Sequence, residues 1–267
     1  MNQAALGNTI DTHLQFPLLN HLKRDLIERA YLTAAGNEIA SGKMASPESS
    51  SALVANAFGM FLERPHLLPP LPGLPEMAWP ATVVALEQQI RFPWSGGRHP
   101  WLDVFIETDT HIVGIESKRY EPFRSSSTAR FSDAFWRDVW DSGMQPFLTL
   151  RDRLQDGTAG LPEIDAVQLV KHAFALSAES KRRTHPKVAV LVYLHADPNL
   201  WPGGKSIEHA RRVRHRCAIE RFGSAVAGAS VQFSSMTYAD ICRVWAEGTD
   251  LDLKEHAVAL CHAFQIA

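Results

Sequence analysis

Two acidic residues and a lysine lie in two neighbouring apolar segments of the chain. Asp103 belongs to the segment WLDVFIET, and Glu116 and Lys118 end the segment HIVGIESK. Because side chains alternate between the two faces of a β-strand, Glu116 and Lys118 point the same way. The two residues 109–110 between the segments leave room only for a tight hairpin, which brings Asp103 close to that pair.

Two carboxylates and an ammonium group at one place predict a site for a divalent cation. Close carboxylates repel each other, and a cation removes that repulsion. Mg²⁺ takes one or two carboxylates and keeps water and substrate phosphate oxygens as its other ligands. Such an ion activates water and neutralises developing charge, and a nearby lysine stabilises the phosphate. The alternative is a structural ion pair between Glu116 and Lys118, with Asp103 as an edge residue.

The spacing of these residues resembles a known nuclease signature. Asp103, twelve intervening residues and then Glu116-Ser117-Lys118 look like the PD-(D/E)XK motif of restriction endonucleases and related repair nucleases. The context IVGIESKRYEPF resembles a bacterial branch of that superfamily, and the similarity covers about 47–196, more weakly to the end. The resemblance implies that Asp103 and Glu116 bind Mg²⁺ or Mn²⁺, that Lys118 is catalytic and that the Ser117 carbonyl is a further ligand.

The chain departs from the family pattern at two places. Leu102 stands where the name of the motif has proline, which is often absent from family members. A further acidic ligand, commonly on the first helix of the family, has no direct match here. Glu48 and Glu63 lie at the ends of the predicted helix, and Glu87 in the first predicted strand is the preferred substitute.

Two further groups of residues are candidates for contact with DNA. Gln168 and His172 lie four apart on one predicted helix, where they face substrate phosphate or metal-bound water. The alternative is a buried, hydrogen-bonded pair. Arg119 and Arg124 follow Lys118 directly and are predicted to contact the DNA backbone, a solvated loop being the alternative.

A basic helix is predicted over 205–222. Arg212 and Arg216 are its candidate contacts with the phosphate backbone of DNA, and a charged outer face is the equally open alternative. The formal net charge of the whole chain is only −2, so any contact with a polyanion must be made by such local patches.

Apolar periodicity predicts the elements that position these residues. Strands are expected at 82–92, 101–108, 111–118, 187–196 and about 229–235; helices are expected from Ser46-Pro47-Glu48 to before Pro65, at 131–156 (one or two), 163–179 and 205–222, with two more to the end. This order predicts an α/β fold of the restriction-endonuclease-like type. Its mixed central sheet has a three-strand meander plus further strands and is flanked by helices on both faces.

The chain is expected to form a single nuclease-like domain over 1–267. An N-terminal helical extension covers 1–45, the core covers 47–196, and C-terminal helices with an edge strand cover 197–267. The proline-rich run 66–80 cannot form regular structure. Its leucines predict an ordered loop, although a flexible linker is the alternative.

Composition sets the remaining expectations. The three cysteines have no metal-binding spacing and fit a reducing cytosol. The first residues do not resemble a signal peptide, and no apolar run approaches the roughly 20 residues that span a bilayer. A soluble, cytoplasmic protein without membrane contact is expected, and a homodimer stays open.

Together these observations predict a metal-dependent nuclease that acts on DNA in restriction or repair. The alternative function is a catalytically inactive nuclease-fold protein that binds nucleic acid or a protein partner. An unrelated α/β domain with an accidental triad would lack the three-strand meander.

Overall fold

Five strands form one mixed sheet in the computed structural model, which describes residues 16–34, 36–74, 79–124 and 130–266. The strands are β1 (Val83–Gln89), β2 (Trp101–Glu107), β3 (His111–Lys118), β4 (Val188–His195) and β5 (Val231–Thr237). They lie in sequence order across the sheet. The first three pair antiparallel as a meander, and β3, β4 and β5 pair parallel. The predicted α/β class, meander and mixed sheet are therefore confirmed.

Helices cover both faces of this sheet. They are α1 (Arg24–Thr33), α2 (Ser50–Phe58), α3 (Gln145–Gln155), α4 (Ala166–Arg182), α5 (His209–Ala225), α6 (Tyr238–Glu247) and α7 (Leu251–Phe264). One apolar core joins the sheet to α1, α2, α6 and α7, and a second core joins it to α3, α4 and α5. No helix within the described ranges is long and apolar enough to cross a membrane.

Strand β4 explains why both faces must be covered. Val190 and Val192 belong to one core, whereas Leu191 and Tyr193 belong to the other. Burying each such side chain stabilises the fold by roughly 1.5–3 kcal/mol. A strand that is apolar on both faces is stable only between two helical layers.

The β2–β3 hairpin and one glycine bring α4 close to the candidate site. The turn is closed by hydrogen bonds of 3.0 Å from the Thr108 amide to the His111 carbonyl and from the His111 amide to the Thr108 hydroxyl. Gly114 faces α4, where an added Cβ would lie 2.7 Å from Leu102 and 2.9 Å from Leu176. A side chain here would push α4 away from β3.

Helix α2 begins later than the sequence predicted. Its N-cap is Ser49, whose hydroxyl accepts a hydrogen bond from the Ala52 amide at 3.0 Å. Ser46, the predicted N-cap, instead accepts from the Glu48 amide at 3.3 Å and forms a local turn. Because Ser49 is the residue that caps α2, residues 46–49 lie before its first turn.

Other boundaries differ where proline-rich or polar segments interrupt the apolar pattern. Pro146 lies in the first turn of α3, so the predicted helical region 131–156 contains a regular helix only in its second half. The loop 66–80 is ordered in its described part, where Leu68, Leu71 and Leu74 are buried. Residues 75–78, like 1–15 of the predicted extension, lie outside the described residues.

Candidate active site

The site begins where β2 and β3 part. Their ladder ends at the pair Val104–Ile115, and the next opposite residues are Asp103 and Glu116. There the Asp103 carboxylate replaces a backbone acceptor, because its Oδ2 accepts a hydrogen bond of 2.6 Å from the Ser117 amide. Strand β3 continues along β4 up to Lys118. The end of β3 is therefore held on one side by a side chain and on the other by a strand.

Glu116 and Lys118 form an ion pair between Oε1 and Nζ. Lys118 Nζ also donates to Gln168 Oε1 at 3.2 Å. Burial alone would lower the pKa of Lys118, but the Glu116 and Asp103 carboxylates outweigh it and raise the pKa above its ordinary value. The lysine therefore stays protonated.

Three carboxyl groups share this environment. Burial raises the pKa of Asp103 well above its usual range, and the nearby charge of Glu116 raises it further. Burial likewise raises the pKa of Glu116, in spite of Lys118. The pKa of Glu87 rises to about 8 through burial and through the charges of Asp103 and Glu116. Such mutual repulsion is the condition that a bound cation relieves.

Glu87 lies on β1 in a strained backbone conformation. Its φ is 48°, in the left-handed region that side-chain-bearing residues seldom adopt. The pairs Leu86–Val104 and Gln88–Leu102 flank it, so Glu87 is level with Asp103 across the sheet. Strain of this kind costs about 1–3 kcal/mol and concentrates at functional sites.

The three carboxylates and Lys118 line one open cleft of about 820 Å³. Its walls come from the strand ends, from the segment that leads into α2, and from the first turns of α4. Besides the residues already described, the cleft is lined by Glu38, Lys43, Ser46, Glu48, Ser49, Ser50, Ser51, His99, Trp101, Glu121, Arg124, Asp165, Lys171 and His172, among others. The sequence-predicted triad thus opens onto a space that a substrate can enter.

Helix α4 brings Gln168 and His172 to the site. Asp165 caps the helix by accepting from the Gln168 amide at 2.9 Å, which directs the first turn toward Lys118. His172 Nδ1 lies 3.2 Å from Glu116 Oε2, although the two atoms are not aligned as a hydrogen bond. Burial and the Lys118 charge lower the pKa of His172 to about 3, so the ring is neutral.

Glu121 and Ser50 were not among the residues that the sequence singled out. Glu121 Oε1 accepts from the Ser50 hydroxyl at 2.5 Å, and its Oε2 accepts from the Arg119 amide at 2.7 Å. Glu121 thereby joins the start of α2 to the end of β3. In the sequence, the position of Glu121 three residues after Lys118 could have identified it as a site residue. Glu63, by contrast, pairs with Lys23 and does not line the cleft.

Arg119 is a structural residue, and its predicted contact with DNA is corrected. Its side chain is buried, and it donates to the Pro47 carbonyl at 2.6 Å and to the Phe264 carbonyl at 2.8 Å. Arg124 differs: it lies at the rim of the cleft, pairs with Glu48 and has 52% of its side chain exposed. Only Arg124 of this pair is placed to meet a ligand in the cleft.

Arg212 and Arg216 lie on α5 and do not line the cleft. Arg212 makes a two-pronged ion pair with Asp197, through contacts of 2.8 and 2.7 Å, and also donates to Asn199. Arg216 reaches the same carboxylate at 3.4 Å and is 47% exposed. Their contact with DNA stays a prediction, with part of their charge already neutralised by Asp197.

The donor set fits a hard cation with few protein ligands. Within the described residues, no group of three or more His, Cys, Asp or Glu side chains is arranged to hold a metal ion. Mg²⁺ needs only one or two carboxylates, however, and buried Glu116 Oε2 has no hydrogen-bond partner among the described residues. A cation would satisfy that oxygen. Ser117 is fixed through its amide and through a hydroxyl contact of 2.6 Å with Tyr238, and its carbonyl as ligand stays a prediction.

Comparison with known proteins adds no relative for this site. No protein-family model, no curated protein and no solved structure matches the chain. The likeness to PD-(D/E)XK nucleases therefore stays a prediction that depends on the residues and on their geometry.

Proposed function

We propose that this protein is a metal-dependent nuclease that hydrolyses phosphodiester bonds of DNA, in restriction or repair. The observation that carries the proposal is the convergence of Asp103, Glu116 and Lys118 at one cleft, where β2 and β3 part. A buried carboxylate, a half-buried carboxylate and a lysine at an open cleft are costly for stability. A catalytic role accounts for that cost better than a structural one.

The order of elements is consistent with the proposal. Helix α2 is followed by the meander β1–β3, then by α3, α4 and β4. Apart from the additional helix α3, this sequence of helix, three-strand meander, helix and strand resembles the core of restriction-endonuclease-like proteins. In both, the candidate residues lie on the second and third strands of the meander.

Each residue has a role in the proposed chemistry. Asp103 and Glu116 would hold Mg²⁺ or Mn²⁺, with Glu87 and the Ser117 carbonyl as further ligands. The ion would supply an activated water and neutralise charge on the phosphate. Lys118 keeps its proton on Nζ because of the carboxylates around it, so it offers a fixed positive charge to the phosphate as negative charge develops.

Three cations at the cleft are the candidate contacts with a DNA backbone. Lys43 and Arg124 line the rim of the cleft with 68% and 52% of their side chains exposed. Lys171 lines the α4 side of the same cleft. Lys43 and Arg124 already pair with Glu38 and Glu48, and seven carboxyl groups line the same cleft, so these cations contact a DNA backbone when its phosphates replace those partners.

Cleavage of supercoiled plasmid and of linear duplex DNA tests the proposal. The purified protein should cleave with Mg²⁺ or Mn²⁺ and stop when EDTA is added. Lys118→Met keeps the apolar stem of the lysine, and it should lower the rate by about 100-fold or more because one preorganised charge is lost. Lys254→Met, on α7 away from the cleft, is the control. No cleavage with either metal, or wild-type rates with Lys118→Met, would contradict the proposal.

A second candidate is an inactive nuclease-fold protein that binds nucleic acid or a protein partner. The observation that favours it is that Lys118 Nζ already contacts Glu116 and Gln168 within the chain. This candidate predicts DNA binding without metal-dependent cleavage, and that the Lys118→Met protein binds DNA as the wild type does.

A further inference from the structure

A second cavity lies next to the cleft, between the β1–β2 loop and the last turns of α4. Its volume is about 530 Å³, within the range of small-ligand sites. His99 lines both this cavity and the cleft, so the two spaces adjoin at its side chain. We call the second space the loop cavity.

Flat aromatic rings form the apolar wall of the loop cavity. Trp94 stacks on Phe92 with ring centroids 4.6 Å apart and an interplanar angle of 18°. Trp140 stacks on Phe174 at 4.3 Å and 14°. Both indoles are partly exposed and held by packing on their inner side. The Arg137 guanidinium carbon lies 5.2 Å from the centre of the Trp94 ring, and this arginine is exposed. A flat ligand that stacks on Trp94 therefore displaces Arg137, whereas the indole itself loses little side-chain freedom.

Cations surround these rings. Arg91 is exposed, and its guanidinium has no ion pair or hydrogen bond within the residues that the structure describes. Lys181 and Arg182 also line the cavity, but they are paired with Asp141 and Glu179. Arg91 is therefore the lining cation left to meet an anion from outside.

His99 contributes a donor at the boundary with the cleft. Its Nδ1 accepts a hydrogen bond of 3.1 Å from the Phe92 amide. The neutral ring must then carry its proton on Nε2, which has no hydrogen-bond partner among the described residues. Burial and the charge of Arg91 lower the pKa of His99, which favours this neutral form.

We infer that the loop cavity binds an unpaired base of a DNA strand whose backbone lies in the cleft. Stacked indoles suit the face of a base, and Arg91 suits the adjoining phosphate. The shared position of His99 allows one strand to occupy both spaces. This inference rests on the proposed function, because it takes the cleft ligand to be DNA.

Binding in EDTA tests the inference without cleavage. A fluorescein-labelled single strand of about 12 nucleotides is compared with a blunt duplex of the same sequence, by anisotropy with the full chain. Trp94→Ala should weaken single-strand binding by about tenfold or more and duplex binding by less than about twofold, because only an unpaired base can stack. Arg91→Ala should also weaken single-strand binding.

Two controls separate binding from misfolding. Trp94→Phe keeps an aromatic face and should retain most of the affinity. Trp136→Ala removes another partly exposed indole that does not line the loop cavity, and it should bind as the wild type does. Thermal melting of each variant shows whether it is folded.

Three results would overturn the inference. They are wild-type single-strand affinity in Trp94→Ala and Arg91→Ala, equal weakening of duplex and single strand by Trp94→Ala, and binding of free deoxyadenosine monophosphate as tight as that of the oligonucleotide. The last result would assign the loop cavity to a free nucleotide. Metal-dependent cleavage together with any of them would leave the nuclease proposal standing. Base binding without any cleavage would contradict the nuclease proposal and leave the inference about the loop cavity standing.

Discussion

Asp103 Oδ2 accepts a 2.6 Å hydrogen bond from the amide of Ser117, across the point where β2 leaves β3. The bond fixes one carboxylate against the backbone beside the other, Glu116. It also leaves the second oxygen of Asp103 for another partner, in a place where burial already raises the pKa of both acids. The fold therefore holds two repelling groups in position, and the first prediction follows from that repulsion.

Replacing Asp103 by asparagine should not destabilise the metal-free protein. Asparagine keeps the shape and an acceptor for the Ser117 amide, and it removes the repulsion with Glu116. The variant should melt at the same or a higher temperature than wild type in EDTA. Mg²⁺ at about 100 times its Kd should then stabilise the wild type by about 2.7 kcal/mol, and the variant much less.

A structural ion pair would give the opposite sign. Removing one member of a buried pair leaves the other charge without compensation and costs about 3–5 kcal/mol. An Asp103→Asn protein that melts well below wild type, with Mg²⁺ changing neither protein, would assign these residues to stability.

The raised pKa of Glu87 gives the second prediction, a change of stability with pH. Its pKa in the folded protein is about 8, above the ordinary value, so the folded state holds its proton more tightly than the unfolded chain does. The contribution to stability is complete below the ordinary pKa of glutamate and is lost as the pH rises to about 8. The free energy of unfolding therefore falls steadily between those two pH values.

Melting in EDTA between mildly acidic and mildly basic pH measures this loss. Glu87→Gln, which has no proton to lose, should show a smaller fall in melting temperature over that interval than the wild type. Glu220→Gln, at an exposed position on α5, is the control and should follow the wild-type profile. Parallel profiles for Glu87→Gln and wild type would show that Glu87 does not titrate in this interval.

The sheet and the triad could be predicted because their signals are local. Strand β4 is a continuous apolar run, and the three-residue connection between β2 and β3, close to the two residues expected, permits only a hairpin. Once the meander is assumed, Asp103 and Glu116 must meet, because they are equally far from the turn. The same reasoning gave Gln168 and His172, which are one turn apart on a long helix.

Other features depend on partners that are distant in the chain. Arg119 donates to carbonyls that are 72 and 145 residues away in the chain. Its local sequence, a basic residue directly after a strand, predicted an exposed side chain instead. The left-handed φ of Glu87 also has no local signal, because glutamate is not a residue that favours it. Ser46 and Ser49 are equally good N-caps by type, and residue type alone does not show that Ser49 is the one that caps α2.

The contrast between Arg119 and Arg124 gives a third prediction. Arg119→Met should destabilise the fold by about 2–4 kcal/mol, because the buried Phe264 carbonyl and the partly buried Pro47 carbonyl lose a charged donor. Arg124→Met should change stability by less than about 1 kcal/mol, because its ion pair is exposed. For DNA affinity we expect the opposite contrast. Arg124→Met should lower the slope of log affinity against log salt concentration by about one, and Arg119→Met should leave that slope unchanged.

Denaturant unfolding and anisotropy at several salt concentrations measure the two quantities. Arg243→Met, an exposed arginine on α6 away from the cleft, should leave both unchanged. A stable Arg119→Met protein with a reduced salt slope would show that Arg119 contacts DNA, as the sequence predicted.

The last prediction concerns Gln168, a positioning residue for Lys118. Its Oε1 accepts from Lys118 Nζ at 3.2 Å and shares that ammonium with Glu116. Without this acceptor the ammonium turns toward Glu116 and away from the phosphate, although it keeps its charge. Gln168→Ala should therefore lower kcat by about tenfold, the worth of one hydrogen bond to a charged group, and leave KM for DNA nearly unchanged.

Lys171→Ala, on the same helix at the rim of the cleft, should raise KM and leave kcat unchanged, because it removes only a contact with the DNA backbone. Initial rates over a range of DNA concentrations separate the two effects. A wild-type kcat in Gln168→Ala would show that Glu116 alone is sufficient to orient the lysine.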